Sequence, residues 1–206
     1  MTLVLAAHGS RDPRFAATAQ RVAAAAQRGL PDARVELAYL DRNEPLLADV
    51  LDRLGGSGAA DVAVVPLLFG DGFHSKSDLP EMLRRARLRH PGLRVRQTPV
   101  VGRYSPVPAL IDRITEAAAP LPELIEGSKD TGVLLYAVGS SDPGSDASVR
   151  ERGRELSGVL GVPVQTVFAT RLGTGGGVVR EAVSRLTAQG ATRVAAVPLF
   201  LSAGLL

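Results

Sequence analysis

Two stretches of this chain recur, in the same order, in its second half. His8-Gly9-Ser10-Arg11-Asp12-Pro13 returns 130 positions later as Val138-Gly139-Ser140-Ser141-Asp142-Pro143. Val64-Val65-Pro66-Leu67-Leu68-Phe69 returns 132 positions later as Ala196-Val197-Pro198-Leu199-Phe200-Leu201. Each copy follows an apolar run of the same rank in its half, so the chain reads as two homologous halves. With 206 residues there is room for two small units, each burying a core of its own.

The class of those halves follows from the spacing of apolar runs. Residues 2–7 form a strand, and Asp12-Pro13 supplies an N-cap followed by proline at the first helical position. An Ala-rich helix then runs to about Gln27. Residues 34–40 read as a second strand, and Glu44-Pro45 opens a helix to Leu54. Residues 61–69 are almost continuously apolar, as a strand covered on both faces should be. A glycine-containing loop follows, then a helix over 78–89, a strand over 93–98 and a helix over 105–117. This alternation predicts parallel sheets flanked by helices, in two homologous Rossmann-like α/β halves. The expected division is an N-terminal half over 1–117 carrying the active site, a linker over 118–130, and a degenerate C-terminal half over 131–206. The second half reaches its third strand and stops, which reads as truncation.

Open parallel sheets bind ligands beyond the carboxyl ends of their strands. His8 follows the first strand directly, Glu44 lies just past the second, and His74 lies in the loop Phe69-Gly70-Asp71-Gly72-Phe73-His74 past the third. Two imidazoles and a carboxylate suit a borderline divalent metal such as Fe, Co, Ni or Zn. Gly70 and Gly72 would let backbone amides approach a flat or anionic ligand. A lone histidine at a strand end is more often structural, and Glu44 could simply complement a helix terminus. The repeat shifts that balance, because the matching positions are Val138, Gly176 and Leu206. Three polar groups vanish together while the framework persists. The third histidine, His90, stands at a helix end before Pro91, where it would complement the dipole.

Composition removes several classes of function. The absence of cysteine excludes a disulfide framework, Cys-ligated zinc, a Cys-held iron–sulfur cluster and a thiol nucleophile. The net charge of +3 comes from 24 Lys+Arg against 21 Asp+Glu; only Lys76 and Lys129 are lysines, so the high pI of about 9.8 reflects arginine usage. The arginines are scattered among acids, which argues against nucleic-acid binding and leaves carboxylate recognition open. No segment reaches the ~18–20 apolar residues of a bilayer span, and the first residues lack signal-peptide character, so a cytoplasmic protein is expected. No P-loop occurs, Gly173-Thr174-Gly175-Gly176-Gly177 does not fit a dinucleotide fingerprint, and Ser10 has no nucleophile-elbow context.

Three motifs in order carry a family resemblance. His-Gly-Ser-Arg-Asp-Pro from His8, Tyr-Leu-Asp-Arg-Asn-Glu-Pro from Tyr39, and Val-Val-Pro-Leu-Leu-Phe-Gly-Asp-Gly-Phe-His-Ser-Lys-Ser-Asp-Leu-Pro from Val64 resemble the sirohydrochlorin chelatases, the CbiX/SirB group of class II tetrapyrrole chelatases. The resemblance implies the class II chelatase fold and ATP-independent insertion of Co²⁺ or Fe²⁺, with Ni²⁺ a further candidate, into sirohydrochlorin. The product would feed cobalamin or sirohaem, and no nucleotide is implied. By motif, His8 would be metal ligand and proton acceptor, and His74 the second ligand. Glu44, Phe69, Gly70, Asp71, Gly72 and Phe73, with Ser10 and Arg11, would contact the macrocycle. Arg42, Lys76, Arg84 and Arg85 join Arg11 as candidate clamps for its carboxylates. Val101-Gly102-Arg103-Tyr104 departs from the family, whose relatives often carry a histidine there, so an auxiliary metal role for Tyr104 is not carried over. The expected partner is the tetrapyrrole alone, with no nucleic acid and no membrane, acting on a monomer or homodimer. The competing readings are a noncatalytic tetrapyrrole- or metal-binding protein and a phosphoryl-transfer enzyme using His8.

Overall fold

A computed structural model describes residues 1–70, 74–104, 106–118 and 130–201, with the backbone alone for 74–75 and 113–118. Contacts divide the chain into a first unit, Met1–Arg103, and a second, Tyr104–Phe200, with Leu201 grouped with the first.

In the first unit, β1 (Thr2–Ala7), β2 (Arg34–Tyr39), β3 (Asp61–Pro66) and β4 (Arg94–Gln97) form a parallel sheet in the order β2-β1-β3-β4. Helices α1 (Pro13–Gly29), α2 (Leu47–Gly56) and α3 (Leu79–Arg89) connect them. Alternate residues of β1 enter two cores. Val4 and Ala6 pack with Leu47, Val50, Leu51 and Leu54 of α2 and Leu79, Leu83 and Ala86 of α3. Leu5 and Ala7 pack on the other face with Ala19 of α1 and Tyr39. Helices on both faces are why this strand is apolar at successive positions.

Helix α1 begins as its sequence indicates. Asp12 is the N-cap, its carboxylate accepting from the Arg14 backbone N–H at 2.9 Å, with Pro13 at the first helical position. The Arg14 guanidinium closes on the same carboxylate and holds Asp12 below the usual carboxylate range. The start of α2 differs from expectation. The carbonyl of Pro45 accepts from the Tyr39 N–H (3.0 Å) and Leu46 bridges to Tyr39, so Glu44 and Pro45 continue along the sheet edge and the helix opens at Leu47. Glu44 is therefore a loop residue and does not cap a helix dipole.

In the second unit, α4 (Val107–Ala118) precedes β5 (Thr131–Ala137), α5 (Pro143–Leu160), β6 (Val164–Phe168), α6 (Gly177–Ala188) and β7 (Arg193–Pro198). The parallel order is β6-β5-β7, the same sequence of placements as β2-β1-β3. Helix α4 packs against α5, so it groups with this unit, whereas the sequence assigned it to the first half. Most of the expected 118–130 linker lies outside the described residues.

The repeat is visible in the backbone. Pro66 pairs with Ala6 and Pro198 with Tyr136, and in each unit the next amide (Leu67, Leu199) donates to that partner's carbonyl at 2.8 Å. Gly9 and Gly139 share a left-handed φ, +99° and +91°. Asp142 caps α5 as Asp12 caps α1, and the Asp12 and Asp142 amides donate to Ser10 and Ser140 Oγ, both at 3.1 Å. Ala7 pairs with Tyr39 and Ala137 with Phe168, which sets the second strands 129 residues apart. The position matching Glu44 is thus Gly173, where the sequence pointed to Gly176. Either glycine lacks the carboxylate.

Candidate active site

With β1 between β2 and β3, the connections from β1 and from β3 leave on opposite sides. This makes the carboxyl ends of β1 and β3 the topological switch point, where open α/β sheets form their crevice. His8 is the first residue past β1, and Leu67–Gly70 are the first past β3.

The His8 backbone is held from both neighbouring strands. Its carbonyl accepts from Asp41 N–H (3.0 Å), the preceding Ala7 carbonyl accepts from Leu40 N–H (2.8 Å), and the Leu67 N–H donates to Ala6. Gly9 makes this approach feasible, since a Cβ there would lie 1.8 Å from the Asp41 carbonyl oxygen and the φ of +99° disfavours any side chain. The imidazole is half-buried, with Nδ1 3.3 Å from the Gly9 carbonyl oxygen. With a proton on Nδ1 donated to that carbonyl, the ring lone pair stands on Nε2, where it can ligate a metal or accept a proton.

The other expected site residues divide. Ser10 is structural in its contacts: its amide donates to Asn43 Oδ1 (2.7 Å) and its hydroxyl accepts from Asp12 N–H. Arg11 is exposed and makes no ion pair among the described residues. Glu44 is exposed in the β2 loop, next to Arg42, whose φ is +66° and whose guanidinium pairs with Asp41. Phe69 and Gly70 are half-buried, and the Phe69 backbone lies against Gly102, where a Cβ would come within 1.9 Å of its carbonyl oxygen. Asp71, Gly72 and Phe73 lie outside the described residues. His74 opens a single π-helical turn, His74–Asp78, that leads into α3; its side chain is outside the described residues. Lys76 is exposed on that turn. Arg84 and Arg85 both bind Glu81 on α3, and the pair pulls the Glu81 carboxyl down to about 2. His90 follows α3, but its ring turns to Asp52 of α2 (Nε2 to Oδ1, 3.1 Å) and packs over Gly55. Tyr104 is exposed.

Two contributors were not singled out from sequence. Asn43 joins the His8 loop to the β2 loop, and Gly102 lets the loop after β4 support Phe69. Both lay inside quoted motifs, but their contacts arise only from strand pairing. A cleft of about 480 Å³ lies elsewhere, at the amino-terminal ends of the strands, lined by Asp61, Val62, Arg87, Leu93 and Arg94 among others. Its Arg94 is taken up by Asp61 and its Arg87 by the Val95 carbonyl, so it is not where this chemistry would occur.

The second unit repeats the frame without the donor. Val138 stands in place of His8, 42 % exposed, its carbonyl accepting from Thr170 N–H as that of His8 accepts from Asp41. Arg171 crosses this loop to bind the Ser140 carbonyl and the Asp146 carboxylate. The Arg150 and Arg171 guanidinia both lie over the Phe168 ring, at 4.9 and 5.0 Å from its centre.

The CbiX family model matches residues 2–117 and 132–206. The sirohydrochlorin ferrochelatase of Bacillus subtilis (strain 168) is 29% identical over 177 residues, covering 83% of this chain and 62% of that protein. The sirohydrochlorin cobaltochelatase of Priestia megaterium is 27% identical over 212 residues, covering 100% of this chain and 65% of that protein. The chain thus spans less than two thirds of the length of these relatives. Among solved structures, SirB from Bacillus subtilis with Fe³⁺ superposes with a TM-score of 0.67 at 24% identity, covering 95% of this chain and 86% of that one. The sirohydrochlorin chelatase SirB from Bacillus subtilis subspecies spizizenii in complex with cobalt gives 0.66 at 23%, covering 96% and 86%. These two structures establish the fold as that of the class II chelatases.

Proposed function

The chain belongs to the CbiX family, and on that footing we propose that it inserts a divalent metal, Co²⁺ or Fe²⁺, into sirohydrochlorin without a nucleotide. The observation that carries the reading is His8, held at the switch point of the first sheet while the same backbone frame in the second carries Val138.

Insertion replaces both inner N–H protons of the macrocycle by the metal, so the site needs a base and a soft enough ligand to take the ion from water. A neutral His8 imidazole can do either, and with Nδ1 turned to the Gly9 carbonyl it is Nε2 that would act. His74, at the entry to α3 beyond β3, is the second ligand of this reading. Glu44, exposed on the loop after β2, is a macrocycle contact in this reading, together with Phe69, Gly70, Asp71, Gly72 and Phe73. Arg11, exposed beside His8 and free of ion pairs among the described residues, is the rim cation best placed for a substrate carboxylate. Arg84 and Arg85 are less suited, since each would have to leave Glu81. The metal is substrate, and imidazole with carboxylate serves cobalt and iron alike.

The test mixes the chain with sirohydrochlorin and Co²⁺, Fe²⁺ or Ni²⁺ and follows the macrocycle's absorbance. The expected result is acceleration over the protein-free rate, with a loss on the order of 100-fold in His8→Ala. A rate equal to the protein-free control, or an unchanged rate in both His8→Ala and His74→Ala, would overturn the reading.

A further inference from the structure

Resting on the function proposed above, the geometry points to Asn43 as the positioning residue of this site, its side-chain carbonyl setting the His8 loop against the loop that carries Glu44. The Ser10 N–H donates to Asn43 Oδ1 at 2.7 Å, a contact between residues 33 apart in sequence. Two backbone bonds complete the circuit, Asn43 N–H to the Asp41 carbonyl (2.8 Å) and Asp41 N–H to the His8 carbonyl (3.0 Å). Gly9 is pressed into this circuit: its Cβ position lies 1.8 Å from the Asp41 carbonyl oxygen and 3.3 Å from Asn43 Oδ1, so the two loops have no slack. Asn43 directly precedes Glu44. A tie at Asn43 therefore constrains the backbone that carries His8 relative to the backbone that carries Glu44.

The second unit supplies an internal control. There the equivalent amide, Ser140 N–H, donates to Asp146 Oδ1 (2.9 Å), a residue on α5 whose carboxylate also binds Arg171. Asp146 corresponds to Ala16 in the first unit, because Pro13 and Pro143 open matching helices 130 residues apart. A methyl group cannot accept a hydrogen bond. Asn43 in turn corresponds to Leu172, given the 129-residue offset of β2 and β6. The same half-buried amide thus finds its acceptor in two ways. The unit without an imidazole directs this amide to its own helix; the unit with His8 directs it to the loop bearing Glu44. Only the second arrangement ties two groups of the site together. The acceptor is also uncharged, so it orders the loop without placing a second negative charge beside Glu44.

Three variants test this in the full chain. Asn43→Ala should lower kcat for metal insertion by roughly 10- to 100-fold with KM changed less than about 3-fold, weaken Co²⁺ binding by about 10-fold in calorimetry, and speed hydrogen exchange at the Ser10 amide. Asn43→Asp keeps the acceptor and should return kcat to within about 5-fold of the wild type. The double variant Ala16→Asp/Asn43→Ala transplants the second unit's fastening; it should restore Ser10 protection but not kcat. The inference is overturned if Asn43→Ala keeps wild-type kcat and Co²⁺ affinity, if Asn43→Asp is as slow as Asn43→Ala, or if the double variant recovers kcat. A wild-type chain that inserts no metal refutes the functional reading instead, and Ser10 exchange with Co²⁺ affinity then still decides the role of Asn43.

Discussion

The backbone at Gly9 carries two constraints at once, a left-handed φ and an adjacent carbonyl with no room for a methyl group. Gly9→Ala has to strain φ and displace the Asp41 loop, so it should destabilise the first unit by about 1–3 kcal/mol, measured by urea unfolding. Gly56→Ala is the control: it sits in α2 with nothing within reach of a Cβ, and alanine there should be neutral to stabilising by roughly 0.5–1 kcal/mol. Equal effects at the two positions would contradict the packing described. The sequence singles out His8 because a polar residue replaced by valine in a repeated frame is a difference that can be read directly, and the structure bears out that frame. Asn43 was not, although it lies inside a quoted motif. Its partner is 33 residues away and becomes its neighbour only through the pairing of β1 with β2.

Strands and helices were readable wherever periodicity and capping agreed, as in β1, α1 and the buried run of β3. The start of α2 was misread because Glu-Pro resembles a helix opening locally, while the deciding contact, Tyr39 N–H to the Pro45 carbonyl, belongs to the sheet edge. Two predictions sit at this scale. On α3, Arg84 and Arg85 hold the Glu81 carboxyl at about 2, below its ordinary 4.5. A depressed carboxyl stabilises the fold above its ordinary value, and that contribution is lost as pH falls from about 4.5 towards 2. NMR titration should show the Glu81 midpoint near 2, and Glu81→Gln should flatten this part of the acid limb; a midpoint at 4.5 would show that the pairs do not persist in solution. The second prediction contrasts equivalent strands. Val62 of β3 is 1 % exposed, in the core under α2 and α3 and beside β4, whereas Val194, its counterpart in β7, is 38 % exposed. Val62→Lys should cost on the order of 3 kcal/mol or more and Val194→Lys less than about 0.5, compared by thermal unfolding.

At the level of the whole molecule, the two halves were evident from two hexapeptides. Hydrogen bonds at matched carbonyls and the order β2-β1-β3 against β6-β5-β7 carry the same repeat. The allocation of α4 was not evident, since contact with α5 is a tertiary preference that leaves no mark on local periodicity. A carbonyl frame that recurs while its imidazole does not has a consequence for stoichiometry. The first loop can offer a ring nitrogen to an ion, whereas the second offers an alkyl group and a guanidinium already committed to Asp146. A Co²⁺ titration of the chain should therefore break at one equivalent, and His8→Ala should remove that break without uncovering another. Two equal breaks would mean that the second frame had kept a ligand of its own, and that duplication had doubled the binding capacity of the chain.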